Sequence, residues 1–148
     1  MTKTIFLVDD DEAIRHSASF MLRHAGYTVK TFPDGMTFLD AYAPNDSACI
    51  LLDVRMPGMD GLAVQQALSE RGNKMPIIVL TGHGDVSVAV QAMKNGAIEF
   101  LEKPYEKKAL LEAIENGFNR IADHAAEADQ RSEAVAKLTR LTGRESEV

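Results

Sequence analysis

Two periods of apolar and polar residues alternate along the chain. Five short apolar runs have the length of strands: TIFLV (4–8), YTVKTF (27–32), ACILL (48–52), PIIVL (76–80) and AIEFL (97–101). The first, third and fourth are almost continuously apolar, as strands covered on both faces are. The second and fifth alternate, which predicts the edges of a sheet. Between the runs, apolar residues recur every three or four positions. Ile14, Ala18, Met21, Leu22 and Ala25 share one helical face, and Gly26 is placed to end that helix. Asp34, Asp60 and Asp85 stand where N-caps of the second, third and fourth helices belong, and Gly72 and Gly96 where the third and fourth stop. The order βαβαβαβαβα predicts an α/β fold, a doubly wound, five-stranded parallel sheet wrapped by helices. From about 105 the pattern is helical alone, with Leu111, Ile114, Phe118, Ile121, Ala125, Ala128, Ser132 and Val135 in register. Either the last helix ends near 122, or one extended C-terminal helix runs past the domain. The Ala, Glu, Lys and Arg of 121–140 favour the second.

Composition narrows the class. A chain of 148 residues with 45% hydrophobic and 26% charged residues suits one domain with its own core and a short appendage. The net charge of −6 argues against this stretch alone gripping nucleic acid or an anionic membrane. No apolar run nears the roughly 20 residues of a membrane span, and MTKTIFLV does not read as a signal peptide. The lone Cys49 lies in an apolar run and reads as a small buried hydrophobe rather than a redox centre. A cytoplasmic location is expected.

The stretch LVDDDE (7–12) crowds three aspartates and a glutamate behind the first strand. Like charges that close repel, so a fold keeps them where something offsets the repulsion. In a doubly wound sheet, ligands bind beyond the carboxyl ends of the strands, where strand order reverses. Asp9 and Asp10 end the first strand and Asp53 the third. If the order is 2-1-3-4-5, these three acids converge. Oxygen donors of that kind suit Mg²⁺, whose charge would offset the repulsion. Asp11 and Glu12 fall at the start of the first helix, where negative charge is favourable. The competing reading is that strand-end acids merely cap helices. Thr81 stands just past the fourth strand, in VLTGHG, and Lys103 just past the fifth, in LEKPY. A hydroxyl, an ammonium, a metal and a nucleophilic carboxylate together make a phosphoryl-transfer constellation.

The motifs VDDDE, LLDVRMPGMDG, VLTGHGD and FLEKPY, in that order and spacing, make residues 3–120 closely resemble a response-regulator receiver domain of a two-component system. MPGMDGL with LTGHGDV further resembles receivers of the FixJ/NarL class. The resemblance implies the flavodoxin-like strand order 2-1-3-4-5. It implies that Asp53 accepts a phosphoryl group from a sensor histidine kinase, forming an acyl phosphate. Mg²⁺ would be bound by Asp10 directly, by Asp9 mainly through water, by Asp53 and by the backbone carbonyl of Arg55. Lys103 would contact the phosphoryl group, and the Lys103–Pro104 bond would be cis. Thr81 would swing toward the phosphoryl group, with Phe100 turning inward behind it. Such a receiver is not an enzyme beyond catalysing its own phosphorylation and dephosphorylation. Its signal is a population shift of the face built from the fourth helix, fifth strand and fifth helix, roughly 84–120, a face that commonly dimerises. The charges there, Lys94, Glu99, Glu102, Lys107 and Lys108, are mixed in sign. Arg55 and His83, two residues beyond Asp53 and Thr81, flank the path of an attacking water and are expected to tune the lifetime of the acyl phosphate. His16, His24 and His124 lie on helical stretches without metal-ligand partners and read as surface or boundary residues.

In LTGRESEV (141–148), Thr142 and Glu145 fit a capping box that opens a helix. The segment resembles the opening of a LuxR-type helix-turn-helix. The expected organisation is a receiver at 1–120, a helical linker at 121–140 and the start of a truncated LuxR-type DNA-binding domain at 141–148. DNA would then be bound only through the missing C-terminal domain, a homodimer would form on phosphorylation, and no membrane would be a partner. A stand-alone receiver with an ordinary tail is the alternative. An aspartate-dependent phosphatase of the haloacid dehalogenase type is a rival, since Asp9 and Asp11 satisfy D-x-D. Its nucleophile would sit on the first strand, however, and the residues that should follow are absent. A dinucleotide-binding domain fits worse, because no G-x-G-x-x-G follows the first strand.

Overall fold

The computed structural model describes residues 3–82 and 84–123. The elements alternate as the apolar pattern predicts: β1 Thr4–Val8, α1 Glu12–His24, β2 Thr28–Phe32, α2 Gly35–Ala41, β3 Ala48–Asp53, α3 Gly61–Glu70, β4 Ile77–Thr81, α4 Val86–Lys94 and β5 Glu99–Glu102. A fifth helix, α5, covers 107–123 of the described residues. All strands are parallel, in the order β2-β1-β3-β4-β5, so the two alternating runs are the edges and the continuously apolar ones the interior.

The sheet is buried on both faces because β3 carries apolar residues at every position before its last. Ile50 and Leu52 point to one side, into a layer with Val8, Phe38, Val64 and Leu68 under α2, α3 and α4. Cys49 and Leu51 point to the other, into a layer with Leu7, Leu22, Leu110 and Ile114 under α1 and α5. Cys49 is fully buried, and burial pushes its thiol up to about 12, so it packs as a hydrophobe. The face of α1 is shifted from the expected one. Ala18 and Leu22 are buried, Ile14 and Met21 half-buried, and Ala25 exposed, while Ser19 is buried in its place. Ala25 is the helix C-cap, where the chain turns away from the sheet through Gly26 at φ +102°.

Three helices start as their sequences predict. Asp11 accepts from the Ala13 N–H at 2.9 Å, Asp34 from Thr37 at 2.7 Å and Asp60 from Ala63 at 2.9 Å. Asp85 also occupies the N-cap position, of α4, but its side chain makes no capping hydrogen bond, which corrects the expectation for that residue. Its carboxylate is held by Arg55 instead. Asp60→Ala is expected to lower stability by about 1 kcal/mol, as cap losses do. Urea unfolding checks this: the midpoint should fall with an unchanged slope.

One glycine fixes the site's geometry. A Cβ on Gly61 would lie 2.6 Å from the Asp53 carbonyl oxygen and 2.7 Å from the Val54 Cα, so α3 begins pressed against the end of β3. The Gly61 N–H donates to the Val54 carbonyl at 2.8 Å.

Candidate functional site

Register brings the acids together. Val8 is paired with Leu52, so Asp9 and Asp53, one residue further on, stand side by side at the carboxyl ends of β1 and β3. Asp9 is fully buried and Asp53 is 4% exposed, while Asp10 faces solvent. Carboxylate oxygens of Asp9, Asp10 and Asp53 lie within 4.8 Å of one another. Every carboxylate oxygen of Asp9 has a partner. One accepts from the Asp11 N–H at 2.9 Å, and the other from Lys103 Nζ at 2.7 Å. Arg15, which sequence spacing did not single out, donates to the Asp9 carbonyl at 2.7 Å. Asp53 accepts a longer bond, 3.3 Å, from the Arg55 N–H, and its other oxygen is 3.4 Å from Lys103 Nζ.

Lys103 reaches both acids because β4 and β5 continue the sheet. Asp53 pairs with Leu80 and Thr81 with Glu102, and the Lys103 N–H donates to the Thr81 carbonyl at 2.7 Å. The Lys103–Pro104 bond is cis, as the resemblance implied. Thr81 is 1% exposed, with its hydroxyl donating to the Leu101 carbonyl at 3.4 Å. Phe100 is 43% exposed, turned out rather than in.

Burial and repulsion dominate the electrostatics. Desolvation, then the charge of Asp9, push the Asp53 carboxyl up to about 7, and Lys103 offsets only part of this. For Lys103, burial alone favours the neutral amine. The bond to Asp9 and the charges of Asp53 and Asp9 outweigh it, so its pKa lies above the ordinary lysine value. Burial, followed by the Asp9 charge, also raises the Tyr105 hydroxyl, which places this half-buried side chain at the margin of the same field. Sequence gave no signal for Tyr105 beyond its place after the proline.

The Arg55 side chain is bonded to Asp85 rather than to the Asp53 carboxylate. Its Nε and Nη2 each donate to Asp85 at 3.0 Å, in a fork that is 67% exposed on the Arg55 side. The hydrogen bond from Arg55 holds the Asp85 carboxyl below the usual carboxylate range. His16 and His24 are exposed, and His24 stacks on Phe20 at 5.2 Å. His83, His124, most of the 121–140 linker and the 141–148 segment lie outside the described residues. No described helix is long and apolar enough to cross a membrane.

An acidic triad with a lysine and a threonine at successive strand ends is what the receiver resemblance requires, and comparison with known proteins agrees. The family described as the response regulator receiver domain matches residues 5–115. The chain belongs to this family. The transcriptional regulatory protein FixJ of Azorhizobium caulinodans is 43% identical over 144 residues, covering 97% of this chain and 68% of that protein. Among solved structures, the response regulator StyR is 42% identical with a TM-score of 0.81, over 98% of this chain and 73% of that one. FixJ-N is 38% identical with a TM-score of 0.73, over 80% of this chain and 95% of that one. The chain is therefore a FixJ-like receiver of two-component signalling, a family of signalling proteins switched by phosphorylation of an aspartate rather than of metabolic enzymes. Receivers bind Mg²⁺ at an acidic cluster, and the donors here fit that ion. Three carboxylates converge, two of them buried and one open to solvent, where a cation that keeps several waters can be held.

Proposed function

We propose that Asp53 is the aspartate that carries the signal, accepting a phosphoryl group from a sensor histidine kinase. The observation that carries this reading is a buried carboxylate at a strand end, flanked by Asp9 and Asp10 and touched by Lys103. In the transfer, an Asp53 carboxylate oxygen attacks phosphorus and the bond from phosphorus to the kinase imidazole nitrogen breaks. The electron pair leaves with that nitrogen, and an acyl phosphate remains. Asp9, Asp10, Asp53 and the Arg55 backbone carbonyl would hold Mg²⁺, which supplies positive charge against the phosphoryl oxygens when bound. Lys103 contributes a second cation at the same place, and Thr81 is one strand away to donate its hydroxyl. Arg55 and His83 are assigned the tuning of acyl-phosphate hydrolysis.

The output is a change on the surface of α4, β5 and α5. Thr81 leaves the Leu101 carbonyl for the phosphoryl group, and Phe100 moves inward behind it. Val86, Val90 and Met93 recur at helical spacing on α4, and with Phe100 on β5 they are the exposed large hydrophobics of these two elements, at 66%, 48%, 38% and 43%. Such an apolar stripe rimmed by mixed charges suits a second copy of the chain. The relatives are named as transcriptional regulators, so the output assigned here is transcription, exerted in the cytoplasm. DNA contact belongs to a LuxR-type helix-turn-helix of the kind that 141–148 resembles, not to the acidic receiver.

Sedimentation velocity tests the switch. Acetyl phosphate with Mg²⁺ should convert wild-type monomer to dimer. Asp53→Asn should stay monomeric, and Val90→Lys should take the phosphoryl group yet stay monomeric. A phosphorylated wild type that sediments as before would remove the apolar stripe from this reading.

A further inference from the structure

The pair Arg55–Asp85 links the loop after β3 to the loop before α4. Arg55 follows the acceptor Asp53 by two residues, and its own N–H donates to an Asp53 carboxylate oxygen at 3.3 Å. Asp85 precedes α4, thirty positions along the chain, and takes both arms of the guanidinium at 3.0 Å. Two longer hydrogen bonds among the described residues also hold the loop before α4. The Gly84 N–H donates to Glu102 at 3.3 Å, and the Asp85 N–H to the Gly82 carbonyl at 3.2 Å.

Asp85 is also a cap that does not cap. Asp11, Asp34 and Asp60 stand at the same position of their helices and each accepts from a first-turn N–H. Asp85 accepts from none. Its carboxylate folds back over the loop, with Oδ2 3.3 Å from where a Cβ on Gly82 would lie, directly beside Thr81. The acid that would fix the first turn of α4 is thus held at the rim of the acceptor site.

We propose that Asp85 is the counter-charge of a latch. It holds the Arg55 guanidinium while Asp53 is free, and it is released to cap α4 when Asp53 carries a phosphoryl group. The inference rests on the reading of Asp53 as the acceptor. The driving force is a competition between anions. A phosphoryl group brings a charge of about −1.5 to −2 and three acceptor oxygens. A planar guanidinium matches phosphate as well as carboxylate in its two-armed geometry, and the more highly charged partner wins. Arg55 starts two residues from that phosphoryl group, and its solvent exposure leaves it free to swing. The freed Asp85 then finds the first-turn N–H groups of Ser87 and Val88 at the start of α4. Val86 and Val90 lie on that turn and the next, so the charge change at Asp53 is carried to the apolar stripe. Asp85 is in this sense a positioning residue: it touches no reacting atom and acts through Arg55 and α4.

Amide hydrogen exchange on the full chain tests the latch, with the phosphoryl adduct verified by intact mass in the same samples. Acetyl phosphate with Mg²⁺ should slow exchange at Val88 of wild type about fivefold, the scale of one gained cap. Thr37 and Ala63, the equivalent amides of α2 and α3, should not change. Arg55→Ala should show the slow Val88 without phosphate, because Asp85 is already free. Asp85→Asn, which caps without holding Arg55, should be slow in both states, and Asp85→Ala fast in both. An adduct on wild type with unchanged Val88 exchange overturns the latch alone, and so does an Arg55→Ala chain that exchanges like unphosphorylated wild type. Absence of the adduct overturns the acceptor reading and the latch with it.

Discussion

Replacing Lys103 with methionine should destabilise the receiver by about 3 kcal/mol at neutral pH without Mg²⁺, the low end of what removing one partner of a buried ion pair does. The low end applies because Lys103 is 20% exposed, while its partner Asp9 is fully buried. Methionine retains most of the aliphatic stem, so the loss is chiefly electrostatic. Asp9 would keep one carboxylate oxygen on the Asp11 N–H and lose its 2.7 Å partner for the other. Asp53 would lose the cation 3.4 Å away that partly offsets its burial. The two acids would then face each other uncompensated. Protonation of Asp53 relieves that repulsion, so the deficit should shrink as pH falls through about 7. Added Mg²⁺ should recover part of it at neutral pH. Thermal unfolding of Lys103→Met and wild type from pH 5 to 8, with and without Mg²⁺, reads all three effects. A variant as stable as wild type at pH 7 would mean that Lys103 does not offset the charge of the acidic cluster.

Asp53→Asn should act in the opposite direction and stabilise the metal-free protein, by on the order of 1–2 kcal/mol at pH 8. An ordinary aspartate of 3.8 is raised to about 7 in the fold by burial and by Asp9. The sign follows from linkage: a carboxyl raised on folding contributes stability that is complete below about 4 and is lost as pH rises through about 7. Asparagine is neutral throughout, so the difference between variant and wild type should be near zero at pH 4 and full at pH 8. At this size of domain it amounts to several degrees in Tm. Mg²⁺ should raise the wild-type Tm and affect the variant less, because one carboxylate donor is gone. A less stable Asp53→Asn at pH 8 would show that Asp53 is held by favourable contacts rather than strained by burial.

Much of this was legible in the sequence, for local reasons. The strands could be read to within a residue or two at their ends because β1, β3 and β4 are apolar on both faces and no described helix has that pattern. The convergence of Asp9, Asp10 and Asp53 follows from their places at the ends of strands that turn out to be neighbours. Asp85 shows where local reading stops. Its spacing is that of Asp34 and Asp60, and nothing nearby distinguishes a cap from an acid claimed by an arginine thirty positions away. The helical face of α1 failed at Ala25 for a related reason: periodicity continues to the last turn, whereas contact with the sheet does not. Phe100 lies outward here, and only a second state of the site would bring it in.

The most direct test of the account is the intact mass of the chain after incubation with acetyl phosphate, with and without Mg²⁺, for wild type and Asp53→Asn. One phosphoryl group is expected on wild type, dependent on Mg²⁺, and none on the variant. An adduct that persists in Asp53→Asn would place the acceptor elsewhere and contradict the assignment of Asp53.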